Sequence, residues 1–247
     1  MCVEAQADLD GLLACGRVVR AALDAMSAAV RPGVTTGELD AIGASVLTAH
    51  GARSAPMLVY KFPCATCISV NDEIVHGIPG DRILGEGDLV KLDVTVEKGG
   101  YMTDAAVTLP VGLPGETSRG LIASARRAFD RAMDAARAGR RVNEIGRAVS
   151  LAVRRDGFSV VRELSGHGIG RTIHEAPSVP NVYDPRARTR LARGLVIAVE
   201  PMLTTGSGAV VEDADGWTIR TADARPAAHY EQTIVVMDGA PIVLTAA

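Results

Sequence analysis

Hydrophobic residues recur every three or four positions along two stretches near the N-terminus, and this period predicts two amphipathic helices. The first extends from Asp8 to Val30 and is stopped by Arg31-Pro32-Gly33. The second follows Thr35-Thr36-Gly37-Glu38, which matches a capping box, the reciprocal bonding that starts a helix. From Ile68 to Leu109 the period shortens to two, with glycine and proline punctuation, so this segment is predicted to form strands and hairpins.

The same order of elements returns in the second half of the chain. A helix is predicted over residues 115–138, another helix opens at Val142 and ends at Asp156-Gly157, and strand-like segments follow. The segments Gly87–Asp93 and Gly194–Glu200 also resemble each other, and each ends in an acid. Any two helix-loop-helix-strand units share such likenesses, so each one alone is weak. Together they favour a duplicated α/β (α+β) fold.

The two halves are predicted to form one domain. No Ser/Gly/Pro-rich linker separates them, so we expect a single domain over residues 1–247, with pseudo-symmetric halves at about 8–112 and 113–247. With 47% hydrophobic and 22% charged residues, the chain should be globular. A net charge of −3 without a basic block argues against a direct nucleic-acid site.

The N-terminal residues and the cysteines indicate the compartment. The start of the chain has neither a basic region nor a long apolar stretch, so we expect no signal peptide and no membrane segment. Four cysteines are too few for a disulfide scaffold, and the cytoplasm is the expected location. Cys64 and Cys67 are spaced as CxxC, but one such pair without a second is weak evidence for zinc or redox chemistry.

Two acids of the predicted hairpin attract attention. In the segment Leu89–Glu97 the side chains alternate, and Asp93 and Thr95 share the face opposite the valines and leucines. If Lys98-Gly99 is the two-residue turn, Asp93 lies directly opposite Asp104. Two like charges so placed repel, and a bound cation would remove the repulsion. The alternatives are that one acid faces solvent or that a bulge shifts the register.

Three further residues could complete a metal site. His167 lies in the glycine-rich run Ser165–Arg171, although a lone histidine is more often structural than a ligand. Glu200 ends an apolar strand-like run and Glu231 starts another, and a carboxylate buried at such a position needs a partner. Four acids and one imidazole suit a pair of divalent cations.

Several short motifs resemble those of the type I methionine aminopeptidases, and the resemblance extends over nearly the whole chain. The motifs that carry it are Cys67-Ile68-Ser69-Val70-Asn71, His76-Gly77-Ile78-Pro79, Lys91-Leu92-Asp93-Val94-Thr95, Ser165-Gly166-His167-Gly168-Ile169-Gly170-Arg171, His174-Glu175, Pro177, Val199-Glu200-Pro201, Asp215-Gly216-Trp217-Thr218 and Tyr230-Glu231-Gln232-Thr233. The resemblance implies a pita-bread fold, in which a central antiparallel sheet is flanked by helices and two pseudo-symmetric halves surround a dinuclear metal centre.

The resemblance also implies a ligand set. Asp93 would chelate one metal, His167 and Glu200 would hold the other, and Asp104 and Glu231 would bridge them. The two divalent ions could be cobalt, manganese, iron or zinc, since the sequence does not determine which. A water or hydroxide bridging the ions would attack the peptide bond, with Glu200 as the general base.

Other residues receive roles in substrate handling by the same resemblance. Thr95 is expected to hydrogen-bond the metal-bound water. His174 would help to stabilise the oxyanion, and His76 would contact the scissile amide or the following residue, although each could be an ordinary loop histidine. The methionine side chain would be held by Cys67, Phe62 and Trp217, with Tyr60 close to them. His50 and His229 are expected to be structural.

The predicted activity is removal of the initiator methionine from nascent polypeptides whose second residue is small. One alternative is a Xaa-Pro-type peptidase of the same fold, and another is a non-catalytic binding protein that kept the fold. The expected partners are nascent N-termini and, transiently, the ribosome. No membrane contact is expected, and the chain is predicted to be monomeric. Two departures from the family pattern, Ile173 and Ala105, bear on pocket shape and turnover.

Overall fold

The computed structural model describes residues 1–246, which form five helices and fifteen strands. The helices are α1 Gln6–Ala29, α2 Thr36–Ala49, α3 Ala55–Tyr60, α4 Glu116–Ala135 and α5 Val142–Arg155. The strands are β1 Arg53–Ser54, β2 Cys67–Val70, β3 Glu73–Val75, β4 Leu89–Lys98, β5 Tyr101–Pro110, β6 Ser159–Val160, β7 Ser165–Gly168, β8 Glu175–Pro180, β9 Val196–Val199, β10 Met202–Thr204, β11 Val210–Glu212, β12 Ile219–Thr221, β13 Ala227–His229, β14 Glu231–Val235 and β15 Ile242–Val243.

The long helices lie where the sequence period predicts them. At the start of α2 the Glu38 amide donates to the Thr35 hydroxyl over 3.1 Å, and the Thr35 amide donates to the Glu38 carboxylate over 2.7 Å. The predicted capping box is therefore confirmed, and its two bonds satisfy amides that the helix itself leaves free. The helix predicted over residues 115–138 ends earlier, at Ala135.

A nine-stranded antiparallel sheet joins the two halves. Its main strand order is β1-β4-β5-β14-β9-β7-β8, with β2 added to β4 and β15 added to β14. The halves meet where β5 pairs with β14, so that Ala106 lies opposite Glu231 and Ala105 lies opposite Gln232. Acids from both halves are therefore brought to the centre of one sheet.

The long helices cover one face of this sheet. Val90, Leu92 and Val94 of β4 pack with residues of α1 and α2 in one core cluster. Ile197 of β9 and Ile234 of β14 pack with residues of α4 and α5 in another. Because successive strand residues point to opposite faces, the acids between these apolar positions point away from the helices. This opposite face carries the candidate site.

The predicted register of the β4–β5 hairpin is wrong by two residues. The turn is Gly99-Gly100 and not Lys98-Gly99, since Lys98 pairs with Tyr101. Both glycines have positive φ values, 61° and 81°, which a two-residue hairpin turn requires and which a lysine would adopt at a cost. Asp104 consequently lies opposite Thr95, while Asp93 lies opposite Ala106. The two acids still share a face, but as diagonal neighbours.

Two remaining expectations concern membranes and cysteines. None of the helices over residues 1–246 is long and apolar enough to cross a bilayer. The four cysteines are free thiols. Cys64 and Cys67 therefore form no disulfide in spite of their CxxC spacing.

Candidate metal centre and active site

The five predicted metal ligands come together in one cavity of about 440 Å³. They reach it from four strands and one strand end: Asp93 on β4, Asp104 on β5, His167 on β7, Glu200 directly after β9 and Glu231 at the start of β14. Gln232 pairs with Val199, so Glu231 and Glu200 are adjacent at the next step of the two strands. The site thus lies across the junction of the two halves.

The ligand atoms form two overlapping groups of three. Asp104, His167 and Glu231 offer one atom each, all within 4.8 Å of one another, and so do Asp93, His229 and Glu231. Glu231 belongs to both groups, as a bridging ligand would. Glu200 is in neither group, but its Oε1 lies 3.4 Å from Nε2 of His167. The predicted set is therefore brought together, with one additional histidine.

The electrostatics of this cluster suit a cation. Burial, and then the charge of Asp104, raise the pKa of the Asp93 carboxyl well above its usual range. Burial and the nearby aspartates likewise raise the pKa values of Glu200 and Glu231. Oδ1 of Asp104 and Oε1 of Glu231 are buried without a hydrogen-bond partner among the described residues. Divalent cations would supply the positive charge and the contacts that these oxygens lack.

Removing one of these charges should stabilise the metal-free protein. An acid whose pKa is raised in the folded state favours folding below its unfolded pKa, and this contribution is lost as the pH rises through the folded pKa. Asp93→Asn has no such loss. In chelator, the melting temperature of Asp93→Asn should therefore exceed that of the wild type. The difference should grow as the pH rises above 3.8, the ordinary pKa of an aspartate such as Asp93. Each 1 kcal/mol gained in the free energy of unfolding should raise the melting temperature by roughly 2–4 °C.

Differential scanning calorimetry across pH, with and without metal, measures this difference. Added metal should reverse the order, because the wild type binds the ion more tightly and is stabilised by it. If the difference in melting temperature in chelator did not change with pH, the buried charge of Asp93 would not be its cause.

His167 is oriented by the backbone around it. Its Nδ1 lies 2.9 Å from the Gly168 carbonyl, which leaves Nε2 directed at the carboxylates. A Cβ on Gly166 would stand 2.3 Å from the Ala198 carbonyl, and one on Gly168 would stand 2.3 Å from the Ala176 carbonyl. The glycines therefore allow the three strands β7, β8 and β9 to approach closely around the histidine. Burial lowers the His167 pKa, so the ring is neutral and able to ligate.

His76 and His174 line the same cavity. Burial, and then the neighbouring histidines, lower the pKa of His76 to about 4, and its backbone is left-handed with φ 58°. The His174 ring stands 4.2 Å from that of His167, centroid to centroid. Nδ1 of His174 shares a 2.6 Å hydrogen bond with the Tyr60 hydroxyl. The structure therefore places both histidines beside the carboxylate cluster.

The predicted pocket residues form an apolar wall of the cavity. Phe62 and Trp217 meet edge to face with ring centroids 5.2 Å apart, and Cys67 is buried beside Asp93, its partner across the β2–β4 pair. Tyr60 lies at the mouth and is 43% exposed. Burial raises the pKa of the Cys67 thiol, so it stays neutral. This wall suits an uncharged side chain.

The two departures from the family pattern fall on different sides of the sheet. Ile173 is buried and lines the cavity, so it shapes the apolar wall. Ala105 packs in the core against α1 and α2 and makes no part of the cavity. Val75 and Met202 also line the cavity and were missed, because short apolar runs carry no sign of which cavity they face.

His229 is a cavity residue to which the sequence assigns no functional role. The sequence predicts a structural residue here, and the structure places its side chain in the cavity and in one of the two ligand groups. A signal was available, since His229 stands two residues before Glu231 and alternation puts such residues on one face of a strand. Burial lowers its pKa to about 3.

Comparison with known proteins agrees with this geometry. The model of metallopeptidase family M24 matches residues 10–238. Methionine aminopeptidase 2 of Bacillus subtilis is 44% identical over 247 residues, which cover 99% of each chain. The crystal structure of a methionine aminopeptidase from Thermotoga maritima superposes with a TM-score of 0.96 at 31% identity, with full coverage of both chains.

A more distant likeness shows the fold alone. The prolidase from Pyrococcus furiosus superposes with a TM-score of 0.80 at 21% identity, and only 66% of that chain is covered. The same architecture therefore occurs in peptidases of different specificity, and the choice between them rests on the nearer relatives and on the site.

Proposed function

The chain belongs to metallopeptidase family M24, and we infer from this that it is an aminopeptidase that removes the initiator methionine from proteins. Its fold is the pita-bread fold of that family. The observation that carries the inference is the full-length likeness to bacterial methionine aminopeptidases, since the more distant prolidase shares the fold without that identity. We further propose a single catalytic domain and a small second residue in the substrate.

We propose that two divalent ions are held by the five predicted ligands, with Glu231 shared between them. The support is the crowding of buried carboxylates whose oxygens lack partners. When bound, such ions polarise the scissile carbonyl and lower the pKa of a water. Zinc, cobalt, iron and manganese all remain compatible with this mixed oxygen and nitrogen set.

The residues around the cluster would act on the substrate. His174 would donate a hydrogen bond to the carbonyl oxygen of the scissile bond, because Tyr60 can donate to its Nδ1 and so leave the N–H on Nε2. Glu200 would accept the proton of the attacking water, and Thr95 would hydrogen-bond that water. The support for Thr95 is its position directly opposite Asp104, on the face that carries the acids. His76 would contact the scissile amide.

The methionine side chain would lie against Phe62, Trp217 and Cys67. The support is that these residues form an uncharged wall next to the carboxylates, where the peptide N-terminus must lie. We propose that the protein acts on nascent N-termini in the cytoplasm as a monomer, with transient contact to the ribosome.

A pair of peptides tests the proposed function. The metal-loaded protein should cleave Met-Ala-Ser and leave Ala-Pro-Ala intact, as followed by mass spectrometry of the released amino acid. Asp104→Ala is the control, since it removes one ligand of the cluster and should abolish cleavage. Cleavage of Ala-Pro-Ala alone would favour the Xaa-Pro specificity. Cleavage of neither peptide would favour a binding protein, and full activity of Asp104→Ala would contradict the metal mechanism.

A further inference from the structure

His229 faces the carboxylate cluster. Nε2 of His229 lies 3.4 Å from Oε2 of Glu231 and 3.9 Å from Oε2 of Glu200. The side chain is 1% exposed, and neither ring nitrogen has a hydrogen-bond partner among residues 1–246. A buried imidazole without partners costs free energy, so its position calls for a contact that the protein atoms do not supply.

The backbone fixes this side chain in the site. His229 ends β13 and Glu231 begins β14, so the two side chains point to one face while Tyr230 between them packs on Phe129 of α4. The Thr108 hydroxyl donates to the His229 carbonyl and accepts from its amide, both over 2.8 Å. The backbone of His229 is therefore held by Thr108 of β5 on one side and is paired with Met202 of β10 on the other.

The alternatives to ligation are weaker. The 3.4 Å contact with Glu231 does not make a hydrogen bond, and the ring is too deeply buried to meet a large substrate group directly. One atom each of Asp93, His229 and Glu231 lie within 4.8 Å of one another. These three atoms are therefore near enough to one another to be candidate ligands of a single ion.

We propose that His229 is an additional metal ligand, which with Asp93 and Glu231 holds one ion, while Asp104, His167, Glu200 and Glu231 hold the other. The proposal rests on the proposed function only in taking the cluster to be a metal site. Each ion would then have one imidazole ligand. Nitrogen donors favour cobalt and zinc over manganese, so His229 would shift the metal preference of the Asp93 position towards cobalt and zinc.

Metal affinity tests the proposal without any use of activity. Isothermal titration calorimetry on chelator-treated protein would compare Co²⁺ and Mn²⁺ binding to the wild type, His229→Gln and His50→Gln. His229→Gln should lower the Co²⁺ affinity of one site by at least about 10-fold. Loss of a residue that only hydrogen-bonds to a metal ligand already has an effect of this size. Mn²⁺ affinity should fall less. His50 lies outside the cavity at the end of α2, and its variant should bind as the wild type does.

Two outcomes of the titration would overturn the proposal. Unchanged Co²⁺ affinity in His229→Gln would show that the ring does not ligate. An equal loss of Co²⁺ and Mn²⁺ affinity would show that His229 positions the carboxylates and gives no nitrogen bond.

A second measurement uses the wild type alone, in case the variant does not fold. Proton NMR of the protein with two equivalents of Co²⁺ should show two hyperfine-shifted, exchangeable imidazole N–H signals, from His167 and His229. A single signal would overturn the assignment of His229. Cleavage of Met-Ala-Ser is measured separately. Active protein with a single signal would refute only the proposal that His229 is a metal ligand. Inactive protein with two signals refutes only the proposed function.

Discussion

Glu231→Gln should lower kcat/KM for Met-Ala-Ser by at least about 1,000-fold, because Glu231 is the one residue shared by both ligand groups. An amide keeps the shape of the side chain but cannot offer two anionic oxygens to two ions. Metal-ion stabilisation of developing charge is worth several kcal/mol, and a loss of about 4 kcal/mol corresponds to this factor. Steady-state kinetics at saturating metal would measure it, with bound metal counted by elemental analysis.

The control for this variant is Glu212→Gln. Glu212 is exposed at the end of β11 and does not line the cavity, so the same change of charge there should leave kcat/KM unaltered. Thermal unfolding of both variants separates loss of metal from loss of fold. If kcat/KM of Glu231→Gln fell by less than about 10-fold, which corresponds to about 1.4 kcal/mol, Glu231 would not be a ligand shared by two ions.

His174→Gln should lower kcat by about 100- to 1,000-fold with little change in bound metal, the usual cost of removing one donor to a developing oxyanion. The ring stands beside His167 and is oriented by the Tyr60 hydroxyl, but it is not a member of either ligand group. Tyr60→Phe should have a smaller effect, since it frees the orientation of His174 and keeps its N–H. Kinetics with kcat and KM determined separately would show this order.

The matched control is His50→Gln, which removes an exposed histidine at the end of α2. Its kcat should equal that of the wild type. If His174→Gln raised KM and left kcat unchanged, His174 would bind substrate and transition state equally, and the proposed role at the oxyanion would be wrong. If the variant lost bound metal, His174 would instead belong to the metal site.

The elements that the sequence predicts correctly are those whose causes are local. The start of α2 follows from Thr35 and Glu38, which bond to each other's amides within one helical turn. The faces of β4 follow from simple alternation, since Val90, Leu92 and Val94 are in the core and Asp93 is in the cavity. Such features depend on neighbours within about four residues, so a single chain carries the information.

The hairpin register shows where local reasoning fails. Lys98-Gly99 and Gly99-Gly100 are both possible turns by spacing, and the choice is made by the left-handed backbone that two glycines accept without strain. Since the error is two residues, alternation is preserved and Asp93 and Asp104 still share a face. The prediction that Asp93 and Asp104 share one face of the sheet therefore holds, although the predicted pairing between them is wrong.

His229 shows the other limit. Its proximity to Glu231 along the chain was visible, but its proximity to Asp93 arises only when β14 and β4 are placed on the two sides of β5. A histidine two residues from an acid is common and has no meaning until the remaining ligands are located. Burial without a partner, the observation that makes His229 a candidate ligand, does not exist at the level of sequence.

The sequence by itself determined the helices, the strand faces, the family resemblance and the five candidate ligands. These features depend on short motifs and on the spacing of hydrophobic residues, which can be read along the chain. Only the tertiary structure decided that acids from the two halves meet where β5 pairs with β14, that Val75 and Met202 line the cavity, and that His229 lies in a ligand group with Asp93 and Glu231. The reason is physical. A ligand group is defined by distances of a few ångströms between residues far apart in the chain, and those distances are set by strand order and packing.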